Sequence, residues 1–385
     1  MNHTFYYYLK LFLISLSGSF VLSTFSAFDP FTDTNIIEGQ TSWFITTTAL
    51  FAVSLLLSYL PSSGKEFRIT LPNILLLLLL PALAWMGDLT QEKSICLGML
   101  LCLWIMLRST LKEFPDLRML FLTVILCTGV TQMIWGGIHQ YGLISPEHRM
   151  VKLATLYVDP VQLASYSIAV TPILFGMILK LHSCNKKAWW HIRTAIYYFS
   201  WICLVITILS LPAFMNLSGW LTIFIACGLV YYLYKVGWRK TTVRWSQLSV
   251  RSRWLASGIL LILCTGIILL FCLDSTSGEP LHPLLQTPYY RMFFGLFLCW
   301  NISSMYMGIK NKRYSTVGGI AAFTIFTCWS VPFSFPSFWV LLLFLSAICV
   351  ADPVRKVPAK IISDKKVPYL SLIAALTTIF LYFIY

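Results

Sequence analysis

Apolar stretches of roughly 20 residues recur along this chain, each closed by a short polar or basic loop, and that recurrence decides the fold class. A helix of such length crosses a ~30 Å hydrocarbon layer. Only segments that satisfy their own backbone groups can do so one at a time, and the every-second-residue alternation of a membrane barrel is absent. With 58% hydrophobic and 11% charged residues, the chain is far from soluble averages. The pattern predicts spans at 9–28, 42–60, 70–86, 94–110, 118–139, 160–180, 195–215, 217–234, 254–273, 291–309, 316–333, 337–351 and 368–385. The expected fold is all-α: one polytopic membrane domain over residues 1–385 with about 12–13 transmembrane helices.

A net charge of +14 raises the question of nucleic acid, and the placement of the charges answers it. With the N-terminus cytoplasmic, only Lys93, Arg149, Lys152 and Arg291 of the 28 Lys and Arg fall outside. This is the positive-inside asymmetry, so the basic excess is topological and its expected partner is anionic inner-leaflet lipid, not nucleic acid. Two inner loops, 235–253 and 352–367, hold much of it; in the first, Lys235, Arg239, Lys240, Arg244, Arg251 and Arg253 alternate with Trp238 and Trp245. The inner loop His182 to Arg193 mixes Lys186 and Lys187 with Trp189 and Trp190, an interfacial anchoring pattern.

Ten of the 11 cysteines fall within the expected spans, with only Cys184 in a loop, so they read as small apolar packing residues. The N-terminal apolar segment follows a single Lys10 and precedes no small-x-small site before Asp29, which favours an uncleaved first span. No phosphate-binding glycine loop, dinucleotide fingerprint or metal-spaced His/Cys set occurs, so no metal or cofactor is expected. Gly136-Gly137 and Gly318-Gly319 read as close helix contacts. Ionisable residues are missing from mid-span, which weighs against an ion-coupled transporter.

Two outer loops gather the remaining chemistry. Loop 140–159 and its approach supply His139, Gln140, His148, Arg149, Lys152 and Asp159; loop 274–290 supplies Glu279 and His282, with Arg291 opening the next span. Arginine and lysine suit phosphate oxygens, and a histidine or carboxylate can take a proton from an attacking hydroxyl. The plain structural alternative is that Lys152 and Arg291 snorkel, Asp159 caps the helix beginning at Pro160, and His139 satisfies a helix end.

Gly136-Gly137-x-His139-Gln140-Tyr141-Gly142-Leu143, followed by Asp159-Pro160-x-x-x-Ala164-x-Tyr166, resembles the O-antigen ligase and polymerase superfamily. Members read G-x-x-Q-x-x-G-L, a polar loop, then N-P-x-x-x-A-x-Y. The segment Val331-Pro332-Phe333-Ser334-Phe335-Pro336-Ser337-Phe338-Trp339 is similar to the family's Y-P-L-x-x-x-P-F segment before a late span. The resemblance implies a GT-C-like architecture at the outer face of the bacterial inner membrane. It implies transfer of a glycan from a polyprenyl-pyrophosphate carrier to a lipid or glycan acceptor, without metal. Arg149, Lys152 and Arg291, with Asp159, His139 and Gln140, would hold the anionic donor, and His282 or His148 would serve as base.

Departures from the family pattern are specific. Asn216-Leu217-Ser218-Gly219-Trp220 has leucine where relatives carry the arginine of S-R-x-x-W, and the long outer loop of relatives is shortened to Asp274 through Tyr290. A non-catalytic membrane partner in polysaccharide or lipopolysaccharide assembly is therefore the second expectation. A lipid-glycan transporter is the third.

Overall fold

The computed structural model describes residues 3–26, 36–59, 71–86, 91–115, 117–140, 160–182, 192–210, 217–238, 288–328 and 336–351. Among these residues the chain is helical throughout, with eleven α-helices, one 3-10 turn at Ser23–Ser26 and no strand. The helices are α1 His3–Leu22, α2 Ile36–Tyr59, α3 Leu71–Met86, α4 Gln91–Glu113, α5 Leu117–Gln140, α6 Pro160–His182, α7 Ile192–Ser210, α8 Leu217–Trp238, α9 Pro288–Lys310, α10 Tyr314–Phe326 and α11 Pro336–Val350. Each coincides with one expected span, while those at 254–273 and 368–385 lie outside the described residues. Boundaries shift modestly: α9 begins at Pro288, inside the loop expected to run to Tyr290, and α4 runs from Gln91 to Glu113, beyond both ends of the expected span 94–110.

Local chemistry explains several of these ends. Proline opens α6, α9 and α11, where its missing N–H costs nothing and its fixed φ suits a first helical residue. Between α4 and α5 the chain turns within a few residues, the Leu117 N–H donating to Phe114 O at 3.1 Å. Arg108, near the end of α4, is buried and donates to Asn73 Oδ1 on α3, an atom that also accepts from Trp104 Nε1 at 3.1 Å. A tighter turn joins α9 to α10. Arg313 N–H reaches Gly308 O at 2.8 Å, and Asn311 Nδ2 donates to Cys349 O at 2.9 Å and Ala351 O at 3.2 Å, tying the turn to the end of α11.

The organising element is α10, whose residues are almost all buried. Along α6, a Cβ built on Gly176 would lie 2.8 Å from Ser315 Cα, Ile173 meets Gly319, and Ala164 and Ile168 cluster with Ala322 and Phe326. Along α8, Tyr234 meets Tyr314 and Ser315, Val230 meets Gly318, and Ile223 and Ala226 reach Ala322 and Phe326. Residue numbers fall on one helix as they rise on the other, so α6 and α8 are both antiparallel to α10 and parallel to each other. The same holds for α9, through Gly308 against Val317, and for α11, through Phe338 against Phe323. Gly318 and Gly319 thus serve the close contacts expected of them, because a Cβ there would strike Val230, Pro172 or Ile173.

On α7 the buried stripe includes Thr194, Ser200, Cys203 and Thr207, while Tyr198, Phe199, Trp201, Ile202, Val205, Ile208 and Leu209 are exposed. The hydroxyls of Ser200 and Thr207 turn back onto Ile196 O and Cys203 O at 2.7 and 2.8 Å. A helix that hides its hydroxyls and shows its largest apolar groups inverts the soluble pattern. Among the described residues, Ile95–Lys112, Ala164–His182 and Met292–Lys310 are long and apolar enough to cross a membrane. At 13 residues α10 is only about 20 Å long by helical rise, shorter than the hydrocarbon layer.

Candidate functional site

Because α6, α8, α9 and α11 all run against α10, their first turns, at Pro160, Leu217, Pro288 and Pro336, lie around the last turn of α10 at one end of the bundle. Aromatic packing sets the depth of two of them. The Phe293 and Trp339 rings are 6.3 Å apart, and Phe297 stacks against Phe338 with centroids 6.4 Å apart. Arg291, two residues ahead of Phe293, and Pro336, three ahead of Trp339, therefore stand at the same level of backbone. Beneath α6, α8 and α10 the end is floored by Ala164, Ile168, Ile223, Ala226, Ala322 and Phe326, with Trp220 packed on them.

The helix starts at this end favour anions. Each helix start carries a partial positive charge from its unpaired N–H groups. The opposing end of α10 closes on itself: Thr327 N–H donates to Phe323 O at 3.0 Å and Thr327 Oγ1 to Thr324 O at 2.8 Å. Arg291 occupies the first turn of α9, where a cation opposes the helix dipole and helix stability gives no reason for it. No Asp or Glu occurs from Pro160 to Leu273 or from Pro280 to Ala351; the carboxylates nearest these helix starts in the chain, Asp159, Asp274 and Glu279, lie outside the described residues.

The expected site residues divide cleanly. Arg291 lies in the first turn of α9, and His139 and Gln140 form the last two residues of α5; their side chains lie outside the described parts. His148, Arg149, Lys152, Asp159 and His282 lie outside the described residues altogether. The start of α6 at Pro160 agrees with the helix that Asp159 was expected to cap. In the Asp159-to-Tyr166 motif, Ala164 and Tyr166 are buried packing residues. The Tyr166 hydroxyl meets Thr128 Oγ1 at 2.7 Å and donates to Ile125 O at 3.3 Å, joining α6 to α5.

Sequence reasoning passed over the interior polar groups. Asn301 on α9 is fully buried, and neither its Oδ1 nor its Nδ2 has a hydrogen-bond partner; the Ser304 and Ser346 hydroxyls are likewise unpaired. An asparagine within the apolar run Met292–Lys310 was the available signal. Among the described residues, no group of three or more His, Cys, Asp or Glu is placed to hold a metal ion. The chain matches no known family model, no curated protein and no solved structure.

Proposed function

We propose that this chain is a multi-pass protein of the bacterial inner membrane, N-terminus cytoplasmic, that binds a polyprenyl-pyrophosphate-linked glycan at its outer face and transfers the glycan to a lipid or glycan acceptor. The observation that carries this is the gathering of four helix starts, Arg291 among them, at one end of a bundle whose other end carries Lys180, Lys235, Lys310 and Lys312. That charge asymmetry fits positive-inside topology, and the inverted amphipathicity of α7 fits a lipid-facing helix. In the proposed reaction the acceptor hydroxyl oxygen bonds to the anomeric carbon as the bond from that carbon to the pyrophosphate oxygen breaks. The hydroxyl proton passes to His282 or His148. The electron pair leaves on the polyprenyl pyrophosphate, whose charge Arg149, Lys152 and Arg291 would balance together with the helix starts.

Leu217, the first residue of α8, favours a second reading. It stands where the resembled ligases carry an arginine, so the same end would bind the lipid-glycan without turning it over, as a membrane partner in polysaccharide or lipopolysaccharide assembly. A lipid-glycan transporter is the third reading and has only the buried polar groups of α9 and α11 in its favour.

The deciding experiment incubates purified protein with a polyprenyl-pyrophosphate glycan and an acceptor, comparing wild type with Arg149→Ala, Arg291→Ala and His282→Ala. Loss of a charged hydrogen bond, about 1.5–3 kcal/mol, should lower transfer roughly 10- to 100-fold for each arginine variant. Transfer unchanged in all three would sink the site assignment, and retained donor binding with no transfer to any acceptor would favour the partner.

A further inference from the structure

We infer that the end of the bundle where α10 begins holds a discrete site for the phosphate of an anionic phospholipid, built by Lys235, Lys310 and Lys312 around the Tyr234–Ser315 hydroxyl pair. This rests on the membrane reading above and not on the glycan chemistry.

Three chain segments meet there. The Tyr234 hydroxyl is 3.2 Å from Ser315 Oγ, and the Tyr234 and Tyr314 rings pack edge to face with centroids 5.2 Å apart. That contact brings Lys235, the neighbour of Tyr234, beside the α9–α10 turn, which carries Lys310 and Lys312 on either side of Asn311. All three lysines are exposed. α6 through α11, and the segment joining α8 to α9 up to Leu273, contain no Asp or Glu to pair with them; the next carboxylate in the chain, Asp352, follows Ala351 and lies outside the described residues. Ammonium groups bind phosphate as point charges, and tyrosine hydroxyls settle at headgroup depth.

Two details argue for a purpose beyond orientation in the membrane. Lys312 has φ 57°, the left-handed region that glycine or asparagine enters far more easily than lysine. A lysine held there keeps its charge at a conformational cost. The Lys235 ammonium lies 6.0 Å from the Tyr231 ring centroid, which restrains it near the helix wall. The occupant is a phospholipid and not a soluble phosphate because the outer flanks of the same helices are apolar: Tyr231, Tyr232, Tyr306 and Ile309 are exposed directly beside the lysines. A headgroup on the lysines would lay its acyl chains along those side chains.

The test uses the full chain in neutral detergent micelles. Retention of phosphatidylglycerol against phosphatidylcholine is read by native mass spectrometry, and thermal stabilisation by each lipid is read in parallel. Wild type should prefer phosphatidylglycerol, and Lys235→Gln/Lys310→Gln/Lys312→Gln should weaken that preference by at least about tenfold. A variant with the same charge change elsewhere, Lys186→Gln/Lys187→Gln/Lys240→Gln, should keep it. Equal loss in both variants means bulk charge and overturns the site, as does the absence of any preference in wild type. Equal stabilisation by free glycerol 3-phosphate overturns the lipid assignment. Should the triple variant be unstable in phosphatidylcholine, Lys310→Gln/Lys312→Gln serves in its place, with loss of the preference expected and its retention overturning the site. Recovery of the chain in the carbonate-soluble fraction of cells would instead overturn the membrane reading beneath it.

Discussion

The Tyr166 hydroxyl stands 2.7 Å from Thr128 Oγ1, fastening α6 to α5 through a hydroxyl pair whose tyrosine is buried and whose threonine is half-buried. Thr128 Oγ1 also contacts Val124 O at 2.9 Å, so the pair extends the internal bonding of α5 across to its neighbour. Interhelical hydrogen bonds in membranes contribute about 0.6 kcal/mol on average and up to ~1.7. Tyr166→Phe and Thr128→Val should each lower stability by about 1 kcal/mol, with a coupling of about 0.6–1.7 in the double-mutant cycle. Detergent-phase thermal unfolding measures it, and a coupling of zero would show the contact to be energetically silent.

Gly318 faces Val230 and Pro172, both rigid, so a methyl group there has no flexible neighbour to displace. Gly318→Ala should destabilise by about 1–3 kcal/mol through overpacking. Gly228→Ala on α8, where nothing lies within 4 Å, should be neutral or stabilising by up to about 1 kcal/mol from helix propensity. Val230→Ala should relieve much of the Gly318→Ala defect. Comparing unfolding midpoints of these four proteins tests the close approach of α8 to α10.

Asn301 is buried with its whole carboxamide unpaired. Leaving such a group unsatisfied costs about 1–3 kcal/mol, whereas an apolar side chain of similar size incurs no such cost. Asn301→Leu should therefore raise the unfolding midpoint. A marked fall in stability would mean that Asn301 is held by a bound polar group whose loss outweighs the desolvation.

Lys312→Gly separates conformation from charge. Removing Cβ from a left-handed residue should stabilise the α9–α10 turn by up to about 1 kcal/mol, while anionic lipid retention falls. A loss of stability instead would mean that the lysine side chain holds the turn together.

Topology has its own check. Reporter fusions at Lys240 and Glu279 should report opposite sides of the membrane, because the expected span 254–273 separates them. Identical sides would remove the outer-face assignment of Arg291 and His282 together.

How much of this was legible beforehand depends on what kind of signal each feature leaves. Long Leu, Ile and Phe runs marked the places of eleven helices, three of them long and apolar enough to cross a membrane. The Gly318-Gly319 pair announced a close contact but not its partners, because Val230 and Pro172 are remote in sequence and nothing in their own segments marks them. The central position of α10 was hidden for the same reason: Tyr314 to Phe326 reads like any other apolar span, and burial on every side is a property of its neighbours. Arg291 was singled out because a lone cation opening a span is conspicuous, and the helix places its backbone in the first turn of α9. Asn301 was missed because a neutral amide leaves no mark on a charge count. Ala164 and Tyr166 were found as motif letters, and their roles in packing needed the partners on α10 and α5.

The burial of α10 on every side bears on how the protein is made. α6 and α8 leave the ribosome before the helix that packs across both of them, and as direct neighbours they can dock on each other first, leaving open the flank that α10 later covers. The α9–α10 hairpin, its backbone turn closed by Arg313 N–H on Gly308 O, covers that flank next, and Asn311 locks the turn only when α11 supplies Cys349 O and Ala351 O. Assembly of the described helices is thus completed by α11: nascent chains arrested before Val350 should be more protease-labile than those released after it.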